Sequence, residues 1–256
     1  MSASERSFTT WGDAETSLAF EASPRSVRAV LADEVVAGSK HAMLLHESGY
    51  APVYYFPLED VRTDLLEESE HETTCPYKGE ARYWTVAVRD RRAENAAWSY
   101  PRPAPGTPDL GGYLAFRWEA MDEWYEEDDR LVGGARDPYH RVDAVWSDRH
   151  VRVLLGGVVV AETRRPCLVF ETEAPTRYYL SPDDVRTELL APSGTSTACP
   201  YKGMASYWSA TVGDRTVEDV AGSYEAPPPE QPKLAGRLCV WPKRGDVIEI
   251  DGRPAP

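Results

Sequence analysis

Apolar and polar residues alternate cleanly over two stretches of this chain, and the two stretches match each other. In residues 82–88, Trp84, Val86 and Val88 share one face and Tyr83 and Thr85 the other. In residues 206–212, Trp208, Ala210 and Val212 oppose Tyr207 and Ser209. A period of two predicts a half-buried β-strand in each copy. Upstream, Val27-Arg28-Ala29-Val30-Leu31 and Val35-Val36-Ala37 are matched by Val151-Arg152-Val153-Leu154-Leu155 and Val159-Val160-Ala161. These β-branched runs, joined in the second copy by Gly156-Gly157, predict a hairpin in each copy. Leu44-Leu45 with Glu47, and Leu168-Val169 with Glu171, predict a third strand. Val53-Tyr54-Tyr55-Phe56 and Arg177-Tyr178-Tyr179-Leu180 predict a fourth. Neighbours on a strand point oppositely, so Tyr54 and Tyr55 cannot enter the core on the same side. Gly112 with Leu114 and Phe116, and Gly236 with Leu238 and Val240, begin the last strands.

Helical signals are brief. Ser181-Pro182-Asp183-Asp184 sets a hydroxyl, a proline and two acids in the order of a helix start, and predicts one or two helical turns. Pro57-Leu58-Glu59-Asp60 is its match without the serine. The proline-rich stretches 101–108 and 227–232 are expected to stay out of regular structure, because proline lacks the backbone donor. Residues 119–129 are dense in acids and read as a solvated edge.

The copies are related by an offset of 124 residues, most visibly in Cys75-Pro76-Tyr77-Lys78-Gly79 and Cys199-Pro200-Tyr201-Lys202-Gly203. Halves of this size can each hold a core. The expected organisation is an N-terminal extension at 1–24 without a counterpart, a first repeat at 25–130, a linker at 131–148 and a second repeat at 149–256. The expected fold is mainly β: two homologous small domains, each a curved sheet or barrel with short helical turns, in an approximate internal two-fold repeat.

The formal net charge of -14 and pI near 4.8 argue against nucleic acid, whose binding rests on clustered Lys and Arg. No basic amphipathic or spanning apolar stretch points to a membrane. The first ten residues lack the apolar segment of a secretory signal, so the expected compartment is the cytoplasm. Of the four cysteines, Cys167 and Cys239 fall opposite Met43 and Ala115, as small buried hydrophobes do. No C-x-x-C, P-loop or glycine-rich dinucleotide fingerprint occurs, so no cofactor and no metal are expected.

Within Cys-Pro-Tyr-Lys-Gly, turn chemistry accounts for proline and glycine. It does not ask for tyrosine or lysine. A lysine beside aromatics can pair with an anionic ligand or, desolvated, act as a base. Tyr54, Tyr55, Tyr77, Tyr83, Trp84, Trp98 and Tyr100 offer the stacking faces and polar tips of a ligand pocket, although Tyr54 and Trp84 better suit an aromatic β core. Glu59-Asp60 and Asp183-Asp184 are the paired acids at equivalent positions, with Arg62 and Arg186 close by. They fit magnesium-dependent transfer or simply the first turn of a helix. Glu47 and Glu171 are lone strand acids, equally ambiguous. All five histidines precede residue 151. A histidine-dependent mechanism is therefore not expected within the second repeat alone.

The succession Tyr-Tyr, Asp-Val-Arg, Cys-Pro-Tyr-Lys-Gly, Tyr-Trp and Ser-Tyr, with Asp137-Pro138-Tyr139-His140-Arg141-Val142-Asp143 between the copies, resembles the bacterial DUF427 family in tandem form. The resemblance implies a small, mostly β domain. The family's biochemical role is unassigned, and some classifications label it nucleotidyltransferase-like. The second copy departs from the pattern where Trp98-Ser99-Tyr100-Pro101 becomes Gly222-Ser223-Tyr224-Glu225.

The leading expectation is a small polar or anionic ligand bound near the lysine turn of each repeat. Lys78, Tyr77, Tyr83, Tyr55, Trp98, Tyr100 and Arg62 are the candidates in the first. Lys202, Tyr201, Tyr207, Tyr179, Tyr224 and Arg186 are the candidates in the second. The alternatives are a nucleotidyltransferase-like enzyme with the paired acids on magnesium, and a protein-interaction module using the acidic edge 119–129.

Overall fold

The period-two runs do form strands, and the alternation decides what lies on each side of them. A computed structural model of the chain describes residues 7–10, 17–241 and 246–255. It divides into two units, Met1–Asp137 and Pro138–Pro256. The first contains β1 (Ser7–Thr10), β2 (Ser17–Ala22), β3 (Val27–Leu31), β4 (Glu34–Ser39), β5 (Met43–Glu47), β6 (Val53–Pro57), β7 (Leu66–Cys75), β8 (Gly79–Val88), β9 (Arg91–Pro103), β10 (Tyr113–Phe116), β11 (Glu123–Glu126) and β12 (Asp129–Arg130). The second contains β13 (Val142–Trp146), β14 (Val151–Leu155), β15 (Val158–Thr163), β16 (Cys167–Glu171), β17 (Arg177–Leu180), β18 (Leu190–Cys199), β19 (Gly203–Val212), β20 (Arg215–Tyr224), β21 (Leu238–Val240), β22 (Val247–Ile250) and β23 (Arg253–Pro254).

Each unit is built from one large and one four-stranded antiparallel sheet. The first unit's sheets run β1-β2-β5-β6-β10-β9-β8-β7 and β12-β11-β3-β4; the second unit's run β13-β16-β17-β21-β20-β19-β18 and β15-β14-β22-β23. Register is preserved under the sequence offset: Phe20 lies opposite Leu45 and Ala144 opposite Val169. The end strands of the large sheets do not pair with each other, so neither sheet closes into a barrel. Regular structure other than strand is confined to short 3₁₀ turns among the described residues.

One face of each large sheet packs on the small sheet. In the first unit, Val27, Ala29 and Leu31 of the small sheet meet Tyr54, Phe56, Val86, Leu114 and Phe116 of the large one. Val151, Val153 and Leu155 with Leu180, Ala210, Val220 and Val240 repeat the arrangement. The other face of the first large sheet carries a second cluster, in which Leu18, Phe20, Leu45, Tyr55, Ala81, Tyr100, Leu110 and Ala115 are buried. Tyr54 and Tyr55 thus enter different clusters, as strand alternation requires.

Several expectations are corrected. Residues 1–24 and 131–148 are not a unique extension and a linker, because they hold β2 and β13, which occupy the same place in their sheets. Their shared pattern is short and half-polar, which hides it in the sequence. The expected helical turns are single 3₁₀ turns, Leu58–Asp60 and Pro182–Asp184, and Ser181 makes no side-chain cap bond. β9 continues through Pro101 and Pro103, where its partner is β8 alone. A missing N–H on the side without a neighbour costs no ladder bond. β7 and β18 were not expected, because most of their residues are exposed and neither shows an apolar face. Within 119–129, Trp124 is a core residue, and the buried Glu126 accepts hydrogen bonds from Tyr54 Oη and Arg25. The acidic run is therefore partly interior.

Glu126→Ala leaves the Tyr54 hydroxyl buried without its acceptor, and is expected to lower unfolding free energy by about 1–3 kcal/mol in urea titration. Glu119→Ala, at an exposed position, should change it by less than about 0.5 kcal/mol.

Candidate functional site

Cys75 pairs with Gly79 across a hairpin end, leaving Pro76, Tyr77 and Lys78 as its loop. Gly79 has φ 98°, and a Cβ there would lie 3.0 Å from the Arg102 carbonyl oxygen and 3.1 Å from the Ala104 nitrogen. Only glycine lets the proline-rich segment cross this closely. Ala104 N–H then donates to the Lys78 carbonyl at 3.1 Å, and Thr107 Oγ1 to the Tyr77 carbonyl at 2.5 Å. Gly203, φ 93°, repeats the approach with the Ala226 carbonyl at 3.3 Å. The turn is held from behind, and its lysine is directed onto the sheet.

Lys78 is buried, and its Nζ forms an ion pair with Glu47 on β5. Lys202 pairs with Glu171 in the same way. Between β5 and β8 stand β6, β10 and β9. At about 4.8 Å per strand the two would lie ~19 Å apart in a flat sheet, beyond the reach of a lysine and a glutamate together. The large sheet must therefore curl until its ends face each other across the outer side. Its outer face becomes the inside of a trough, bridged by the ion pair.

A cavity of about 460 Å³ occupies that trough in the first unit. Tyr55, Tyr83, Trp98 and Tyr100 form its aromatic walls, Leu45 and Val53 add apolar surface, and Lys78 with Glu47 forms the buried polar end. Tyr50 and Arg117, both exposed, stand at its open side. Trp98 Nε1 donates to Tyr55 Oη at 3.3 Å, and Lys78 Nζ lies 5.9 Å from the Tyr100 ring centroid. Burial pushes the Tyr55 and Tyr100 phenols well above their ordinary range, with neighbouring groups adding to the rise. Both offer a neutral hydroxyl at physiological pH and not a phenolate.

The predicted residues divide. Lys78, Tyr55, Tyr83, Trp98 and Tyr100 converge on one cavity. Tyr77 is on the turn but packs against the outer-face cluster and does not line the cavity. Arg62 lies elsewhere, paired with Asp64 and Glu34, and Arg186 is paired with Glu188. In the second unit Tyr179 and Tyr224 are 6.5 Å apart, Tyr207 meets Trp241 edge-on at 5.7 Å, and Tyr201 stacks on His140 at 4.2 Å. Cavities of about 460 and 630 Å³ in that unit lie along β13 and beside Arg177, away from Lys202.

Of the paired acids, Asp60 accepts from Ser39 Oγ at 2.5 Å and Asp184 from Thr163 Oγ1 at 2.7 Å, while Glu59 and Asp183 are exposed. The inner acid of each pair ties a 3₁₀ turn to the end of a neighbouring strand. Among the described residues no group of three or more His, Cys, Asp or Glu is placed to hold a metal ion. All four cysteines are free, and burial pushes Cys239 up to about 11, so its thiol stays inert.

Four contributors were not assigned to the site from sequence. Glu47 was visible only as an acid repeated at Glu171. Arg117 and Trp241 occupy equivalent positions but share no chemistry, so the repeat carries no signal for them. His140 belongs to the second unit, where its Nε2 lies 3.2 Å from Glu171 Oε1. This histidine comes from ahead of residue 149, so the contact brings a side chain from outside the expected second repeat to that repeat's glutamate. Burial raises the Glu171 carboxyl, but Lys202 and His140 outweigh it and hold the group below the ordinary carboxylate range.

Lys78→Met leaves the partly buried Glu47 without its counterion and is expected to cost about 2–4 kcal/mol in denaturant titration. The double variant Lys78→Met/Glu47→Leu should recover most of that loss. A depressed carboxylate stabilises the fold above its unfolded value, and that contribution is lost as pH falls through the folded one. Acidification below the ordinary carboxylate range should therefore destabilise the second unit. In Glu171→Gln, less stable at neutral pH, unfolding followed against pH should show a shallower acid dependence.

No curated protein matches the chain. The family model described as Domain of unknown function (DUF427) matches residues 19–127 and again 143–251, two spans that begin within or at β2 and β13 and each contain one lysine–glutamate pair. The chain therefore belongs to the DUF427 family and carries its domain twice.

Proposed function

We propose that the first repeat binds a small polar metabolite in the aromatic cavity at its lysine turn, and that the second repeat holds a related site around Lys202. The observation that carries this reading is the convergence of four aromatic side chains and a buried ion pair on one cavity of about 460 Å³. That size and lining suit a small-molecule site. The ion pair alters the part Lys78 plays. Its charge is matched by Glu47, so together they present a donor and an acceptor, suited to a polar group, with little net attraction for an anion. The aromatic walls supply stacking area for a planar moiety.

Magnesium-dependent nucleotide transfer has less support, since Asp60 and Asp184 are engaged by Ser39 and Thr163. A protein-interaction role for 119–129 is likewise weakened by the inward Glu126. No helix among the described residues is long and apolar enough to cross a membrane. Four free thiols fit a reducing compartment such as the cytoplasm.

Thermal unfolding of the full chain against a metabolite library tests the proposal. A ligand at a hundred times its dissociation constant adds about 2.7 kcal/mol to stability. The shift should vanish in Trp98→Ala and in Lys78→Met/Glu47→Leu, which keeps the volume of the pair. A shift that survives both changes would place the ligand elsewhere.

A further inference from the structure

Two differences between the repeats are a single exchange. The first repeat has Trp98 and Arg117 where the second has Gly222 and Trp241. A Cβ added at Gly222 would lie 2.6 Å from Trp241 Cη2, so a tryptophan at 222 and the ring of Trp241 exclude each other. The second repeat thus takes its indole from the end of β21 and sets it edge-on to Tyr207 at 5.7 Å. The first takes its indole from β9 and sets it edge-on to Tyr55 at 6.3 Å. What the second repeat gives up in the exchange is an arginine.

That arginine is electrostatically distinct from the lysine. Arg117 Nε donates to the Asn95 carbonyl at 3.1 Å and Nη2 to the Glu94 carbonyl at 2.8 Å. Both acceptors are neutral, and among the described residues Arg117 has no ion pair. Lys78, in contrast, is matched by Glu47. The uncompensated positive charge of the cavity therefore sits at its open side, on a guanidinium whose Nη1 is uncommitted among the described residues. The chain's net charge of -14 opposes this little, because exposed charges are screened beyond about 8 Å at physiological salt.

We propose that Arg117 is the anion-selecting residue of the first-repeat cavity, whose ligand class is a planar ring bearing a carboxylate, and that the second repeat lacks this selection. The inference rests on the cavity being a ligand site. The ring stacks within the walls formed by Tyr83 and Trp98, the carboxylate meets Arg117, and the Lys78–Glu47 pair bonds a polar substituent at the buried end.

Fluorine NMR titration of the full chain with 4-fluorobenzoate and its neutral counterpart 4-fluorobenzamide tests this. The natural chain should prefer the benzoate. Arg117→Met, at an exposed position, should weaken the benzoate about tenfold or more while moving the benzamide less than about twofold. Gly222→Trp/Trp241→Arg should add a second benzoate site. An unchanged benzoate-to-benzamide ratio in Arg117→Met overturns the selection, and so does a natural chain that binds neither probe or favours the amide. Trp98→Ala separates the two readings. If it abolishes binding of both probes while Arg117→Met leaves their ratio unchanged, the cavity stands and the anion selection falls. If benzamide binding is indifferent to Trp98→Ala, the cavity assignment itself falls. Arg117→Met decides the question even where the double exchange does not fold.

Discussion

The buried ion pair between Lys78 and Glu47, repeated as Lys202 and Glu171, is the constraint on which the shape of each domain depends. It joins a hairpin turn to a strand four places removed, which only a curled sheet permits. Taking two charges out of water is costly, and their attraction offsets this only when the geometry is held firmly. Here the holding comes from behind the turn, through the close crossing at Gly79 and the hydrogen bonds from Ala104 and Thr107. The pair adds little net stability compared with an apolar replacement. It gives definition: one register of turn over sheet, and one trough.

Curling separates the duties of the two faces of the large sheet. The face against the small sheet is an ordinary core of Val, Leu and Phe, closed on the first unit by Trp124 and the buried Glu126. The opposite face is aromatic and polar because it cannot be fully covered by the turn and the proline-rich segment alone. Each strand that crosses the trough contributes alternate residues to both duties, so β6 supplies Tyr54 and Phe56 to the core and Tyr55 to the cavity. A change in ligand preference can then be made on the trough face with little disturbance of the core. The exchange of Trp98 and Arg117 for Gly222 and Trp241 alters the trough face in this way, since the core partners around these positions keep their register.

Duplication also explains which parts of the site could be found by reading residues alone. Tyr55, Lys78, Tyr83 and Tyr100 recur in the second copy at the same offset as Tyr179, Lys202, Tyr207 and Tyr224, and all four line the cavity. Arg62 recurs equally well but holds Asp64 and Glu34 at the surface, because recurrence reports any shared requirement, local turn structure included. Arg117, Trp241 and His140 do not recur at all. Their places in the trough follow from which strands become neighbours, and nothing in a period-two pattern states that.

By itself, the sequence determined the duplication, the strand character and facing of residues 82–88 and 206–212, and the turn that needs Pro and Gly. These are local properties, written in adjacent residues and in one repeated interval. Only the tertiary structure decided that the turn lysine meets Glu47, that Asp60 and Asp184 tie 3₁₀ turns to strand ends and do not gather into a cluster, and that the cavity's unmatched cation is Arg117. Alternation specifies the side of a sheet on which a residue stands. Strand order and curl specify what stands across from it, and those are settled by contacts between residues far apart in the chain.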